Sequence, residues 1–240
     1  TSYNRVAISN VLSVSENGLY SIAGRFSSFI TLFTTCFNMA WQEMSYSREA
    51  QKQTNQGEFY TTALNSYIKF LCMGLLMLIP AISVIFPIMI NESYADAKQL
   101  VPYYLLATIV SCISSFFGNI FTAIKKNNVL FYTTVAGSVV NVVSVHLLLP
   151  VVGVQGASIA LFLGFMVNNT IRAYLLKKEI QVSIDLKFIV AWTIVYIGVS
   201  YIYLHANAII NVLTVFVGGL LTLFVFRKEL KEILGTIKNR

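Results

Sequence analysis

The chain has 240 residues, of which 56% are hydrophobic and only 11% are charged, and its mean hydropathy is +0.70. The charged fraction is far below the roughly 25% typical of soluble domains, so the composition excludes an ordinary soluble protein and indicates a membrane protein. A net charge of +7 could suggest nucleic-acid binding, but the basic residues are distributed as membrane topology would place them.

Seven apolar runs are long enough to cross a bilayer as helices, since about 20 helical residues span a hydrocarbon core of about 30 Å. They cover residues 19–41, 64–90, 100–124, 129–149, 154–176, 184–204 and 208–226. The runs are too long and continuous for the alternating strands of a membrane barrel. We therefore predict an all-α fold, a polytopic membrane helical bundle with about seven transmembrane helices.

The basic residues lie unequally on the two sides of such a bundle. Of the 17 Lys and Arg residues, Arg5 and Lys98 fall on one side and Arg25 falls within a span. The others fall on the opposite side: Arg48, Lys52, Lys69, Lys125, Lys126, Arg172, Lys177, Lys178, Lys187, Arg227, Lys228, Lys231, Lys238 and Arg240. By the positive-inside rule this side is cytoplasmic and includes the C-terminus. We expect no nucleic-acid partner.

The first span carries a polar stripe. Its members recur at helical spacing and share one face: Ser21, Arg25, Ser28, Thr35, Asn38 and Gln42. An arginine at mid-depth costs about 2.5–3.5 kcal/mol on insertion scales, so we expect this face to border water or protein. Snorkelling to the interface is the alternative for Arg25. We favour a cavity cation that attracts an anionic group, because the guanidinium fork suits phosphate.

The other spans contribute weaker candidates. The third span repeats small and polar residues and includes Asn119, and the fourth includes Asn141. We predict both amides as secondary cavity residues. Small residues in the fourth and fifth spans are typical of helix packing. The three cysteines, Cys36, Cys72 and Cys112, fall inside apolar spans and are predicted to be small buried hydrophobes.

Groups for catalysis or ion coupling are missing from the expected positions. None of the ten acidic residues falls deep in a predicted span, which argues against a carboxylate relay for protons or sodium. His146 and His205 fall near span ends without a second ligand. No nucleophile with a base and no phosphate-binding glycine loop is found. We expect no enzymatic activity, no cofactor and no metal.

Three sequence landmarks resemble a known family. The run NRVAISNVLSVSENGLYSIAGRF and the span ending FNMAWQ resemble the start of the C-terminal half of bacterial oligosaccharide flippases, the Wzx-type O-antigen and polysaccharide translocases of the multidrug/oligosaccharidyl-lipid/polysaccharide exporter superfamily. The segment LPVVGVQGASIALFLGFMVNNTIRAYLLKK resembles a later helix of that half, through Gly153, Gly156 and Ala157. The resemblance covers most of residues 1–178.

The resemblance implies one lobe of a two-lobe transporter. Residues 1–178 would be the C-terminal flippase lobe, with its first helix mostly missing. Residues 179–240 would be an additional transmembrane helix pair with a basic cytoplasmic tail. Since the chain begins at Thr1 and not at Met, we expect a fragment that has lost its N-terminal lobe.

The implied function is translocation of an undecaprenyl-diphosphate-linked oligosaccharide across the bacterial inner membrane for O-antigen or other surface polysaccharide. Arg25 would lie near the diphosphate, and Arg5 would be a weaker second cation, although the family often has Asp-Arg where this chain has Asn4-Arg5. Expected partners are the lipid-linked substrate, membrane lipids, the missing lobe and other polysaccharide-assembly proteins.

Three alternatives make different predictions. A cation-coupled multidrug exporter needs an intramembrane carboxylate. A membrane polysaccharide polymerase or ligase resembles proteins with a sizeable extracytoplasmic segment, whereas the outer connections here are short, at about 91–99, 150–153 and 205–207. In a lipid-bathed structural subunit, the polar stripe of the first span would be a helix-packing face.

Overall fold

A computed structural model of the chain describes residues 2–50 and 56–227. Lys52 and the basic residues after Arg227 lie outside these ranges. The described part of the chain forms eight α-helices: α1 (Ser2–Val11), α2 (Val14–Ala50), α3 (Gln56–Met89), α4 (Ala97–Ala123), α5 (Asn127–Val152), α6 (Gln155–Ile180), α7 (Leu186–His205) and α8 (Ala208–Val225). A short 3-10 turn at Glu92–Tyr94 precedes α4.

The predicted all-α membrane bundle is confirmed. Six helices, α3 to α8, are long and apolar enough to cross a membrane, and they correspond to the predicted second to seventh spans, which overrun the helix ends by no more than two residues. The first predicted span, 19–41, lies inside α2, which at 37 residues is long enough but does not meet the same apolar criterion as the other six. The chain is therefore a multi-pass membrane protein whose first long helix is unusually polar.

Helix α4 lies at the centre of the bundle. It packs against α2, α3 and α6, while α5 packs on α6 and α1 packs on α2 and α5. Leu105, Phe116, Phe117 and Phe121 of α4 are almost completely buried. A helix that is apolar on most sides can be covered only by several neighbours, which explains its central position.

The seam between α5 and α6 depends on two glycines. A Cβ added to Gly137 would lie 2.7 Å from the carbonyl oxygen of Gly164, and a Cβ added to Gly164 would lie 2.7 Å from that of Gly137. Only glycine lets the two backbones approach this closely, as is common between membrane helices. The predicted packing role of these small residues is confirmed.

An aromatic cluster joins α2, α3 and α4. The ring of Tyr67 stacks on Phe116 with centroids 4.6 Å apart and on Phe37 with centroids 4.9 Å apart. Trp41 packs against Phe116 at 5.1 Å. Aromatic rings bury much apolar area and prefer such offset geometries. The cluster fixes the rotation of α2, so that Arg25 and Ser28 are exposed while Asn38 and Gln42 reach α4.

Two charged or reactive residues lie in places the sequence analysis did not expect. Cys72 and Cys112 are buried as predicted, but Cys36 is exposed, because it lies on the side of α2 turned away from α4. Arg172 was assigned to a cytoplasmic connection, yet it lies inside α6 and is buried. It can be buried there because hydroxyl and carbonyl groups of α4 and α5 accept its N–H groups.

Helices α7 and α8 dock mainly on α3, and α7 also reaches α4. Trp192 donates to the carbonyl of Cys72 at 2.8 Å, and Tyr196 donates to the carbonyl of Pro102 at 2.7 Å. The segment before α7 is held as well, because the Asn65 amide accepts from the Asp185 N–H at 2.9 Å. These polar contacts add directional constraints to an otherwise apolar interface.

Candidate functional site

The polar stripe of α2 lies on an open flank of the helix. Tyr20, Ala23 and Phe26 form the buried side of α2, while Arg25 and Ser28 are exposed. Within the part of the chain that the structure describes, Arg25 makes no hydrogen bond and no ion pair. Its N–H donors are therefore available to a group that approaches this flank.

The hydroxyls of the stripe are bonded along their own helix. Ser21 Oγ donates to the Asn17 carbonyl at 2.8 Å, and Thr35 Oγ1 donates to the Thr31 carbonyl at 2.7 Å. Such i−4 bonds use the single hydroxyl hydrogen and leave the oxygen lone pairs free to accept. The open flank thus combines an unpaired guanidinium with a row of hydrogen-bond acceptors.

Three of the predicted cavity residues form one amide chain between α2 and α4. Gln42 Nε2 donates to Asn119 Oδ1 at 2.7 Å, and Asn119 Nδ2 donates to Asn38 Oδ1 at 3.2 Å. All three side chains are partly buried and partly open. The structure therefore brings Asn38, Gln42 and Asn119 together at the end of the stripe farthest from Arg25.

The other two predicted residues lie near α1. Asn141 is partly buried and forms a reciprocal pair with Asn4: Asn141 Nδ2 donates to Asn4 Oδ1 at 2.9 Å, and Asn4 Nδ2 donates to Asn141 Oδ1 at 3.3 Å. Asn4 also donates to the Ala157 carbonyl at 2.9 Å. Arg5, the next residue, is exposed and makes no hydrogen bond or ion pair within the described ranges. Asn141 thus joins α5 to α1.

Sequence reasoning missed Arg172 as a site residue. Its Nε donates to Thr133 Oγ1 at 2.9 Å, its Nη1 to the carbonyl and hydroxyl of Ser114 at 2.7 and 3.0 Å, and its Nη2 to Thr134 Oγ1 at 3.1 Å. The signal was a charge inside the predicted span 154–176, four residues after Asn168. That charge was attributed to topology and not to the bundle interior.

An apolar cavity of about 720 Å³ lies between α3, α4, α6 and α7. Ile109, Ile113, Phe162 and Trp192 are among its lining residues. The lining is almost entirely hydrocarbon and aromatic, which suits a hydrocarbon chain and not a sugar or a phosphate. This cavity is therefore distinct in character from the hydroxyl- and amide-bearing stripe of α2.

No protein-family model matches the chain, and no curated protein matches it. A solved structure described as the lipid II flippase MurJ in an inward closed conformation is similar to it, with a TM-score of 0.68 and 18% sequence identity. The chain has the fold of one part of that flippase. The similarity covers 95% of this chain and 51% of the solved structure, so the chain spans about half the length of the flippase.

The comparison bears on the family resemblance at the level of fold. It supports the flippase-type fold that the sequence landmarks implied. At 18% identity the similarity describes architecture alone.

Proposed function

We propose that the chain forms one lobe of a flippase that moves an undecaprenyl-diphosphate-linked oligosaccharide from the cytoplasmic to the outer leaflet of a bacterial inner membrane. The observation that carries the proposal is the unpaired, exposed Arg25 on the polar flank of α2. A cation there is costly against lipid, so the flank borders a hydrated cleft shared with a second lobe.

Arg25 is assigned to the diphosphate of the substrate. A guanidinium offers N–H groups in a planar fork that matches two phosphate oxygens, and these charge-assisted bonds are stronger than neutral ones. Arg5 is a second candidate contact, because it is also exposed. The fold of a lipid II flippase supports a substrate that is likewise linked to a lipid.

The rest of the substrate is assigned to two other surfaces. The hydroxyls of the α2 flank and the amide chain of Asn38, Gln42 and Asn119 replace water around sugar hydroxyls. The prenyl tail remains in lipid or enters the apolar cavity between α3, α4, α6 and α7. This division allows a polar headgroup to cross while its tail never leaves an apolar environment.

The alternatives fit the residues less well. A cation-coupled multidrug exporter would need a carboxylate at mid-depth. In the described ranges the acidic residues lie in the first or last turn of a helix or in connections, except Glu43, which lies seven residues before the end of α2. A polymerase or ligase would need a sizeable outer segment, whereas α5 and α6 are joined by two residues. We therefore propose a transporter without enzymatic activity.

The proposal includes location and partners. The lysine-rich ends of the helices face the cytoplasm, and the C-terminus lies on that side. A second lobe completes the cleft, and membrane lipids and other polysaccharide-assembly proteins are the expected neighbours. We keep the division of the chain into a lobe, residues 1–178, and an additional helix pair, residues 179–240, since α6 ends at Ile180 and α7 and α8 follow it.

Replacement of Arg25 tests this function. In cells that lack the natural gene, Arg25→Ala should abolish surface polysaccharide while the amount of protein in the membrane stays unchanged. Arg25→Lys should restore part of it, because the charge remains but the fork is lost. Lys187→Ala, which removes an exposed cation at the start of α7, is the matched control and should be normal. Normal polysaccharide with Arg25→Ala would refute the assigned role.

A further inference from the structure

Arg172 is a cation inside the bundle whose charge is not compensated. Its side chain is only 6% exposed, and all of its hydrogen-bond acceptors are neutral groups of α4 and α5. No carboxylate pairs with it within residues 2–50 and 56–227, where the one ion pair joins Lys126 to Glu179. Neutral acceptors satisfy the N–H groups but leave the net charge in place.

The field of this charge extends to the surface of the lobe. In a medium of low dielectric constant the potential of a charge falls off much less than it does in water. Ionisable side chains inside membrane helices are costly and generally mark a substrate or ion pathway. Hydrogen bonds that only hold α4, α5 and α6 together would not need a charged residue, because a neutral amide can also bond to hydroxyls and carbonyls.

The guanidinium lies close to the surface of the bundle. Thr134, which accepts from Nη2, is exposed, and Gly118 is partly exposed. A Cβ at Gly118 would lie 3.6 Å from Nη1 and 3.8 Å from Leu130, so the guanidinium lies next to the Gly118 backbone. The next residue, Asn119, belongs to the amide chain that continues into the α2 stripe.

Arg172 and Arg25 lie at different depths. Gly24, beside Arg25, lies against Tyr104, because a Cβ there would be 3.0 Å from the tyrosine hydroxyl. Arg172 contacts Ser114, ten residues farther along the same helix α4. At 1.5 Å rise per residue, this places the two guanidiniums about 15 Å apart in depth. Arg172 is the one nearer the C-terminal end of α4, which Lys125 and Lys126 follow.

We propose that Arg172 forms a second cationic binding position for the diphosphate of the lipid-linked substrate. The diphosphate occupies this position before it reaches Arg25. This inference rests on the proposed function and adds a site to it. Arg172 attracts the diphosphate through its field at the Gly118 and Thr134 surface. The amide chain at the same depth then contacts the sugar nearest the diphosphate.

A charge placed at Gly118 tests the inference without removing Arg172. Gly118→Asp puts a carboxylate beside Nη1 and neutralises the guanidinium, whereas Gly118→Asn adds a side chain of the same shape without charge. The nearest atoms to the new Cβ are at 3.6 and 3.8 Å, which is ordinary contact, so both variants fit. We would measure the affinity for undecaprenyl diphosphate of the natural protein and of each variant in lipid nanodiscs. Uncharged undecaprenol is the reference ligand.

We expect Gly118→Asp to weaken diphosphate binding about tenfold and Gly118→Asn to change it less than about threefold, with undecaprenol binding unchanged in both. Arg172→Gln should match Gly118→Asp, and Lys187→Ala, which removes an exposed cation at the start of α7, should match the natural protein. Equal diphosphate binding by the Asp and Asn variants would overturn the binding position at Arg172 but would leave the proposed function standing. A natural protein that binds both lipids equally would overturn the proposed function as well.

Discussion

The Tyr203 hydroxyl donates a 3.1 Å hydrogen bond to the carbonyl oxygen of Lys98. This carbonyl would ordinarily accept from the N–H four residues later, but that residue is Pro102, which has none. The side chain of α7 therefore satisfies a backbone group that a proline inside α4 has left without a helical partner. Helix α7 thus supplies a hydrogen bond that α4 cannot make within itself.

Replacement of Tyr203 by Phe should weaken the attachment of α7. The Lys98 carbonyl would lose the hydroxyl group that donates to it. An unsatisfied acceptor that is shielded from water costs about 1–3 kcal/mol. We expect a lower Tm in detergent for Tyr203→Phe. Tyr201→Phe is the control, because the Tyr201 side chain is 65% exposed, and its Tm should be unchanged. Equal Tm values for the two variants would contradict this account.

Substitution of Gly164 should open the seam between α5 and α6. A Cβ at this position would lie 2.7 Å from the Gly137 carbonyl oxygen and 2.9 Å from the Asn141 Cβ, so the helices must separate. We expect Gly164→Ala to destabilise the protein by about 1–3 kcal/mol, as overpacking does elsewhere. Gly198→Ala has no atom within 4 Å of the new Cβ and should leave the thermal unfolding curve in place. A stable Gly164→Ala protein would refute the close approach.

Removal of the Asn65 amide should release the segment that joins α6 to α7. Asn65 donates to the Ser183 carbonyl at 3.0 Å and accepts from the Asp185 N–H at 2.9 Å. Loss of both bonds in Asn65→Ala should raise hydrogen exchange at Asp185 about tenfold, which corresponds to about 1.4 kcal/mol of protection. Asn128→Ala, an exposed amide at the start of α5, is the comparison variant. Unchanged exchange at Asp185 would show that other contacts hold the segment.

Much of the fold could be predicted because the spacing and length of apolar runs reflect the bilayer directly. The spans within α3 to α8 follow from runs of about 20 apolar residues. The limits of α2 could not be predicted in this way, since the helix continues on both sides of the apolar run to Val14 and Ala50. Polar residues end an apolar run without ending a helix.

Residues that share one helix face can be predicted from their spacing, whereas contacts between helices cannot. The stripe from Ser21 to Gln42 follows from the 3.6-residue period, and its residues are exposed or partly exposed on α2, while its role as a substrate site stays a prediction. The pairing of Asn141 with Asn4 and the burial of Arg172 depend on which helices meet, and no local spacing encodes that. A charged residue near the end of a predicted span can lie either in a cytoplasmic connection or inside the bundle. The sequence looks the same in both cases.

The central claim is that the polar flank of α2 faces water inside the membrane. Single cysteines at Ser28 and Thr35, in a protein whose exposed Cys36 is replaced by Ser, can be tested with a charged thiol reagent in intact membranes. A cysteine at Ile194, which is 68% exposed on the apolar helix α7, is the lipid-facing control. We predict rapid labelling at positions 28 and 35 and little at 194. Labelling at 28 and 35 as slow as at 194 would contradict the hydrated cleft and the flippase function proposed from it.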